Sequence, residues 1–266
     1  MTTASFSHID TTSYTGKPWN KVDGPGVSFT QKWHERSVHN LRGQEAEFNT
    51  DNSGFAVYKY PAKEKLSQTR RQYSKATTLR LRLYFQVHVD QTPGAAEARV
   101  RRHLPADEAE QLIKGRYQII NIWRPIENPA SDHPLAVIDW RTTSPSDFVA
   151  TDLLYPKRAD SMDVDDRGKE VLPDPNNYTS TEGYEVRGET MAVAPNDNHR
   201  FYYVKDMTPE EVLLLKCFDS YGEGMEPHGK KGLAVRTPHT AFSDPNTPKD
   251  APGRQSIEVR CLVFYE

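Results

Sequence analysis

Alternation of apolar and polar residues is the strongest signal along this chain. Over residues 78–90, Leu79, Leu81, Leu83, Phe85, Val87 and Val89 fall on one face of a period-two pleat, with Arg80, Arg82, Tyr84, Gln86, His88 and Asp90 on the other. A long strand is predicted there. Shorter runs of the same character predict strands at Phe55–Tyr60, Tyr117–Trp123, Leu135–Asp139, Tyr184–Val193, Arg200–Val204 and Ser256–Phe264. Pro105–Lys114 reads as a short helix, with acidic residues in its first turn and Gly115 placed to stop it. Thr208-Pro-Glu-Glu211 has the form of a capping box opening a helical turn, although Val212–Phe218 is apolar enough to be a strand.

Residues 1–54 are polar and aperiodic and predict an irregular N-terminal arm, followed by one domain over 55–266. Within that domain, residues 157–182 are charged and rich in Pro, Asn and Asp, and predict a long surface insertion. Many short strands, few helices and long loops point to a mainly β sandwich or jelly roll. The 19 prolines and 13 tyrosines agree with short strands and turns rather than a helical bundle.

Charge narrows the function classes. Lys plus Arg is 34 against 37 for Asp plus Glu, a net charge of -3, so the chain lacks the basic excess of a general nucleic-acid binder. It has no run of about 18 apolar residues to cross a membrane. Met1–Lys17 lacks the basic and apolar halves of a secretory signal, which makes a cytoplasmic protein the expectation. Cys217 and Cys261 lie in apolar segments and are expected to be buried thiols, having neither the number nor the spacing for a disulfide framework.

The triplet His88-Val-Asp90 carries the most chemistry. An i, i+2 pair on a strand projects both side chains to one face, where imidazole and carboxylate can fill adjacent positions around a metal. A second histidine would complete a 2-His-1-carboxylate set. His239 is the leading candidate, with His199 as its rival. Fifteen residues after His239, Arg254-Gln-Ser256 would place a guanidinium and a hydroxyl on one strand face, suited to a carboxylate. Arg260 has the same parity and is the alternative anchor. His8, His34, His39, His103, His133 and His228 lie in the arm, among arginines or in turns, and Arg99, Arg101 and Arg102 read as a solvated face. Gly-rich phosphate loops, a zinc-protease helix and a nucleophile elbow are missing.

The order His-x-Asp, His, Arg-x-Ser resembles the iron(II)- and 2-oxoglutarate-dependent oxygenases. A closer resemblance spans roughly residues 55–266. Val87-His-Val-Asp-Gln-Thr92, Ile120-Asn-Ile-Trp-Arg-Pro125, His199-Arg-Phe-Tyr-Tyr203, Leu215-Lys-Cys-Phe-Asp-Ser220, Pro238-His-Thr-Ala-Phe242 and Arg254-Gln-Ser-Ile-Glu-Val-Arg260 are similar to the family containing the fungal gibberellin desaturase. That family also holds the hydroxylase/desaturases of fungal natural-product clusters and the cephalosporin-methoxylation accessory protein. The resemblance implies a double-stranded β-helix (jelly roll, cupin-like) core with flanking helices and long loops. It implies Fe(II), 2-oxoglutarate and O2, and hydroxylation, desaturation or oxidative cyclisation of a small molecule in secondary metabolism. Carried over by position, His88, Asp90 and His239 would ligate iron, and Arg254 and Ser256 would hold the distal carboxylate of 2-oxoglutarate. Asn121 would meet its metal-proximal carboxylate, and Arg124, Trp123 and Tyr203 would contact substrate. A carboxylate-bearing substrate and a homodimer are further expectations. The competing class is a non-catalytic jelly-roll accessory protein supporting a partner enzyme.

Overall fold

The structure, a computed structural model, describes residues 1–22, 24–61, 85–158, 172–174 and 176–265. Its strands are β1 (Thr2–Ile9), β2 (Trp19–Lys21), β3 (Gln31–Asn40), β4 (Phe55–Lys59), β5 (His88–Val89), β6 (Tyr117–Pro125) and β7 (Leu135–Ile138). They continue as β8 (Phe148–Pro156), β9 (Tyr184–Val193), β10 (Phe201–Tyr203), β11 (Glu211–Asp219), β12 (His239–Ala241) and β13 (Ser256–Phe264). Two helices, α1 (Pro93–His103) and α2 (Ala106–Leu112), stand between β5 and β6. One sheet has the order β1-β3-β10-β7-β12-β5-β9-β8-β2, and a second has the order β13-β6-β11-β4.

The larger sheet curls. Ser7 at the end of β1 bridges Gln86, and the Val87 amide donates to the Ser7 carbonyl at 2.9 Å, so β1 meets the chain entering β5. The curl encloses Phe6, Val38, Val87, Ile138, Phe201 and Phe242. Its other face packs on the smaller sheet through Leu135 and Val137 against Trp123, Leu213 and Leu215. Each such side chain removed from water contributes about 1.5–3 kcal/mol. The two helices cover the far end of the smaller sheet, where Val100 and Ala109 meet Tyr117, Ile119 and Phe218.

The inner face of the smaller sheet is therefore apolar at both ends and polar between them. Along β6, Tyr117, Ile119, Asn121 and Trp123 alternate inward and all are buried. On β13, Glu258 and Arg260 stand opposite Trp123 and Asn121. The outer face carries its own charges: Lys216 Nζ reaches the Asp219 carboxylate at 2.8 Å, as does Arg116 Nη2.

Several expectations need correction. The first 54 residues are not an irregular arm, because β1, β2 and β3 belong to the larger sheet and pair within this chain. The inward side chains of β1 include Thr2 and Ala4 beside Phe6, too weakly apolar to show alternation. Residues 78–84 of the long predicted strand lie outside the described residues, and the strand that follows is only His88–Val89. Of the predicted insertion, 159–171 and 175 also lie outside, while the described residues from 172 to 182 form neither helix nor strand. At Thr208 the amide and hydroxyl do bond the Glu211 carboxylate, at 2.8 and 3.1 Å, yet the chain enters a strand there because β4 and β6 pair with both edges of β11. Helix α1 was unexpected: only Ala96 and Val100 are buried, so its apolar stripe is narrow. Cys217 is buried, but Cys261 is only partly so.

The first strand also carries a titratable group. The His8 ring lies 5.6 Å from His34 and 6.2 Å from His199, and its Nδ1 sits 3.1 Å from the Val193 carbonyl. Burial pulls the His8 pKa from 6.5 down to about 4. His8 is thus neutral in the fold, whereas the unfolded chain takes up a proton near pH 6.5. Its contribution is present above that pH and is lost as pH falls toward about 4. Between pH 7.5 and pH 5, His8 should cost about 2 kcal/mol of stability. Urea unfolding at the two pH values checks this, with the loss shrinking by about that amount in His8→Phe.

Candidate metal centre

The centre forms where the larger sheet faces the polar stripe of the smaller one. His88 and His239 are directly opposite in the antiparallel β5/β12 pair, and their ring centroids are 4.6 Å apart. Asp90 follows two residues after His88, on the same face. His88 Nδ1 lies 2.8 Å from the Gln86 carbonyl and His239 Nδ1 lies 3.0 Å from that of Thr237. Carbonyls accept, so each Nδ1 carries the proton and each Nε2 presents a lone pair. Both lone pairs face the carboxylate: His88 Nε2 is 3.9 Å from Asp90 Oδ1 and His239 Nε2 is 3.6 Å from Oδ2. The three ligand atoms lie within 4.8 Å of one another, the one such group found among the described residues.

The surroundings prepare these groups to ligate. Burial works to raise the Asp90 carboxyl, but the Arg260 guanidinium beside it acts the other way, and the group is held well below the usual carboxylate range. Burial, reinforced by His239, lowers the His88 pKa and keeps that ring neutral. Two deprotonated imidazole nitrogens and one carboxylate are the donor set of a divalent transition metal.

Asp90 Oδ2 is tied to the smaller sheet. It accepts from Asn121 Nδ2 at 2.7 Å, Arg260 Nη2 at 2.9 Å and Cys217 Sγ at 3.4 Å. Asn121 Nδ2 also donates to Glu258 at 2.8 Å, and Asn121 Oδ1 accepts from Arg260 Nε at 2.9 Å. The side chain of Asn121 is thus committed to Asp90 and its neighbours. Burial and the Asp90 charge push Glu258 up to about 7, while burial raises the Cys217 thiol. Cys217 sits where the β11/β6 register shifts between Lys216 and Phe218. Such a bulge re-aims a side chain, and no residue pattern announces it.

The other sequence candidates separate by strand face. The Arg254 guanidinium lies 5.7 Å over the Trp123 ring, and its Nη1 donates to the His133 carbonyl at 2.6 Å. Its Nε is buried with no hydrogen-bond partner among the described residues. Ser256 opens β13 opposite Pro125, on the face of Glu258 and Arg260. Arg124 pairs with Ile257, so the pleat turns it to the opposite face from Asn121 and Trp123. Tyr203 belongs to the core with Phe6 and Phe242, and it is Tyr202 that shares the Val137 and His239 face. These two substrate contacts are therefore not brought to the centre. Nor is His199, whose Nε2 bonds Asp147 at 2.9 Å.

The fold is a double-stranded β-helix. It superposes on the solved iron and alpha-ketoglutarate-dependent endoperoxidase NvfI with a TM-score of 0.72 and 23% identity, over 98% of this chain and 97% of that one. The family model described as "Oxidoreductase/YMDC permease-like domain" matches residues 66–264. Among curated proteins, aspirochlorine biosynthesis protein N of Aspergillus oryzae is 39% identical over 66% of this chain and 59% of its own length. Hydroxylase/desaturase efuI of Hormonema carpetanum is 38% identical over 68% of this chain and 51% of its own. Hydroxylase/desaturase asaB of Aspergillus flavus is 32% identical over 86% and 79%. The chain belongs to this oxidoreductase family, with the fungal hydroxylase/desaturases. It matches little more than half the length of the first two relatives.

Because Asn121 fixes the carboxylate, Asn121→Ala should weaken divalent metal binding by about 10–100-fold while the protein stays folded. Competition of Mn(II) or Co(II) against a chelating dye, alongside circular dichroism, measures it.

Proposed function

We propose that the chain is an iron(II)- and 2-oxoglutarate-dependent dioxygenase that oxidises a small molecule of secondary metabolism by hydroxylation, desaturation or oxidative cyclisation. The observation that carries this reading is the convergence of His88, Asp90 and His239, with a buried guanidinium at Arg254 that has a donor to spare. The donor set fits ferrous iron, which is bound by two imidazoles and one carboxylate with positions left open. The family's hydroxylase/desaturases, and the relative named an Fe(II)/2-oxoglutarate-dependent dioxygenase in Aspergillus novofumigatus, support the same chemistry.

Bound together, ferrous iron and 2-oxoglutarate supply an oxygen-derived oxidant able to remove hydrogen from an unactivated C–H bond. The residues hold and orient. His88 and His239 offer Nε2, oriented through Nδ1 by the Gln86 and Thr237 carbonyls. Asp90 offers Oδ1 while Asn121, Arg260 and Cys217 retain Oδ2. Arg254 and Ser256 anchor the distal carboxylate of 2-oxoglutarate, with Trp123 supporting the guanidinium from below. Arg260 has its donors on Asp90 and Asn121, so its charge serves the ligand rather than the co-substrate. Among the described residues no helix is long and apolar enough to cross a membrane, and the reading extends to a cytoplasmic enzyme.

Anaerobic addition of Fe(II) and 2-oxoglutarate should produce a visible metal-to-ligand charge-transfer band that disappears in His88→Ala and in Asp90→Ala. A folded, iron-loaded protein without that band is an accessory protein, not an oxygenase. Arg254→Ala should weaken 2-oxoglutarate about tenfold or more, since a charge-assisted bond is lost, and leave iron affinity unchanged. Unchanged 2-oxoglutarate affinity in that variant transfers the anchor to Arg260.

A further inference from the structure

Glu258 is an acid at the centre that the proposed chemistry does not use. It stands on the inward row of β13 between Ser256 and Arg260, opposite Trp123. Its Oε1 accepts from Asn121 Nδ2 at 2.8 Å, and the same amide nitrogen holds Asp90 Oδ2 at 2.7 Å. Two hydrogen bonds through one side chain therefore separate Glu258 from a proposed metal ligand, although it is not part of the three-ligand group itself. Exposure rises outward along this row of contacts. Asn121 is fully buried, while the side chains of Asp90, Arg260 and Glu258 are 18%, 25% and 33% exposed. Glu258 thus stands at the rim where the centre meets solvent.

Charge is out of balance there. Arg260 lies between the two acids, but its hydrogen bonds go to Asp90 at 2.9 Å and to Asn121, and Glu258 Oε1 is left 3.7 Å away. Arg99, whose charge also reaches Arg260 and Asp90, donates to Gln91 at 3.4 Å and forms no ion pair with either acid. One guanidinium cannot neutralise two carboxylates, and burial together with the Asp90 charge disfavours the ionised form of Glu258. The Asn121 amide is the one hydrogen-bond donor that Glu258 has among the described residues, whereas a carboxylate offers about four lone-pair sites. A cation that donates hydrogen bonds relieves both deficits. 2-Oxoglutarate, a dianion, is repelled by Glu258, so the group that answers this charge comes from the substrate.

We infer that Glu258 selects the substrate, accepting a protonated amine that the molecule carries beside its site of oxidation. The inference rests on the oxygenase reading in calling the bound molecule a substrate; the cation site itself rests on the placement of Glu258. A glutamate that only held Asn121 in position would need an oxygen and no charge, because an amide oxygen accepts the same hydrogen bond. Glu258→Gln therefore separates the two roles.

Benzylamine and benzyl alcohol are the probes, because they share shape and, at about pH 8, differ in charge. Binding to the full chain is measured by calorimetry under nitrogen, first with Fe(II) and then with Fe(II) and 2-oxoglutarate, so that the metal occupies Asp90. The parent should bind benzylamine about tenfold or more tightly than the alcohol. Glu258→Asp should keep part of that preference and Glu258→Gln should abolish it, with alcohol binding and circular dichroism unchanged. A parent without the preference overturns the assignment. So does a preference that survives Glu258→Gln, as it would if the amine ligated iron directly or if Glu258 only held Asn121. A change in 2-oxoglutarate affinity in Glu258→Gln that exceeds the change in amine preference overturns it too, since Glu258 then acts on the co-substrate. A missing charge-transfer band with the amine preference intact removes the oxygenase reading and leaves the cation site standing.

Discussion

A carboxylate placed between two β-sheets has to stay charged, and this requirement organises the centre. Asp90 leaves the end of a two-residue strand and enters a region that is apolar on either side. Left alone there, it would take up a proton, because burial favours the neutral acid. The Arg260 guanidinium, with hydrogen bonds from the Asn121 amide and the Cys217 thiol, opposes that preference. Each comes from a different strand, so the charge balance of one side chain that follows β5 ties it to β6, β11 and β13. The polar stripe in the smaller sheet is the visible result.

The arginines of this half of the fold differ in what neutralises them. Arg260 is neutralised by Asp90 and shares Asn121 with it, and so belongs to the ligand. Arg254 is held by the His133 carbonyl and the Trp123 ring, and Arg236 by a sulfur and the Phe148 ring. Neither contact cancels a full charge.

The grouping of His88, Asp90 and His239 was legible in the sequence because a period-two spacing suffices to place His88 and Asp90 on one face, and because His239 precedes an anchor-like Arg-x-Ser. Most strands were legible for the same reason. The failures have physical sources. Arg124 and Tyr203 were each chosen beside a residue of interest, and adjacency on a strand means opposite faces. Cys217 reaches Asp90 through a register shift, which depends on pairing between strands rather than on local pattern. The N-terminal strands were hidden because their partners lie far away in the chain: β3 pairs with β1 but also with β10.

The bridge between Ser7 and Gln86 reaches further than the closure of a sheet. Gln86 supplies the carbonyl that fixes the His88 ring, so the first strand of the chain braces the first imidazole of the centre. The segments that meet there are separated by most of the chain, from residue 7 through 86–90 and 239 to 260. Each contact of such separation carries its own loop-closure cost. The geometry of the centre is thus a property of the whole closed fold and of no single segment in it.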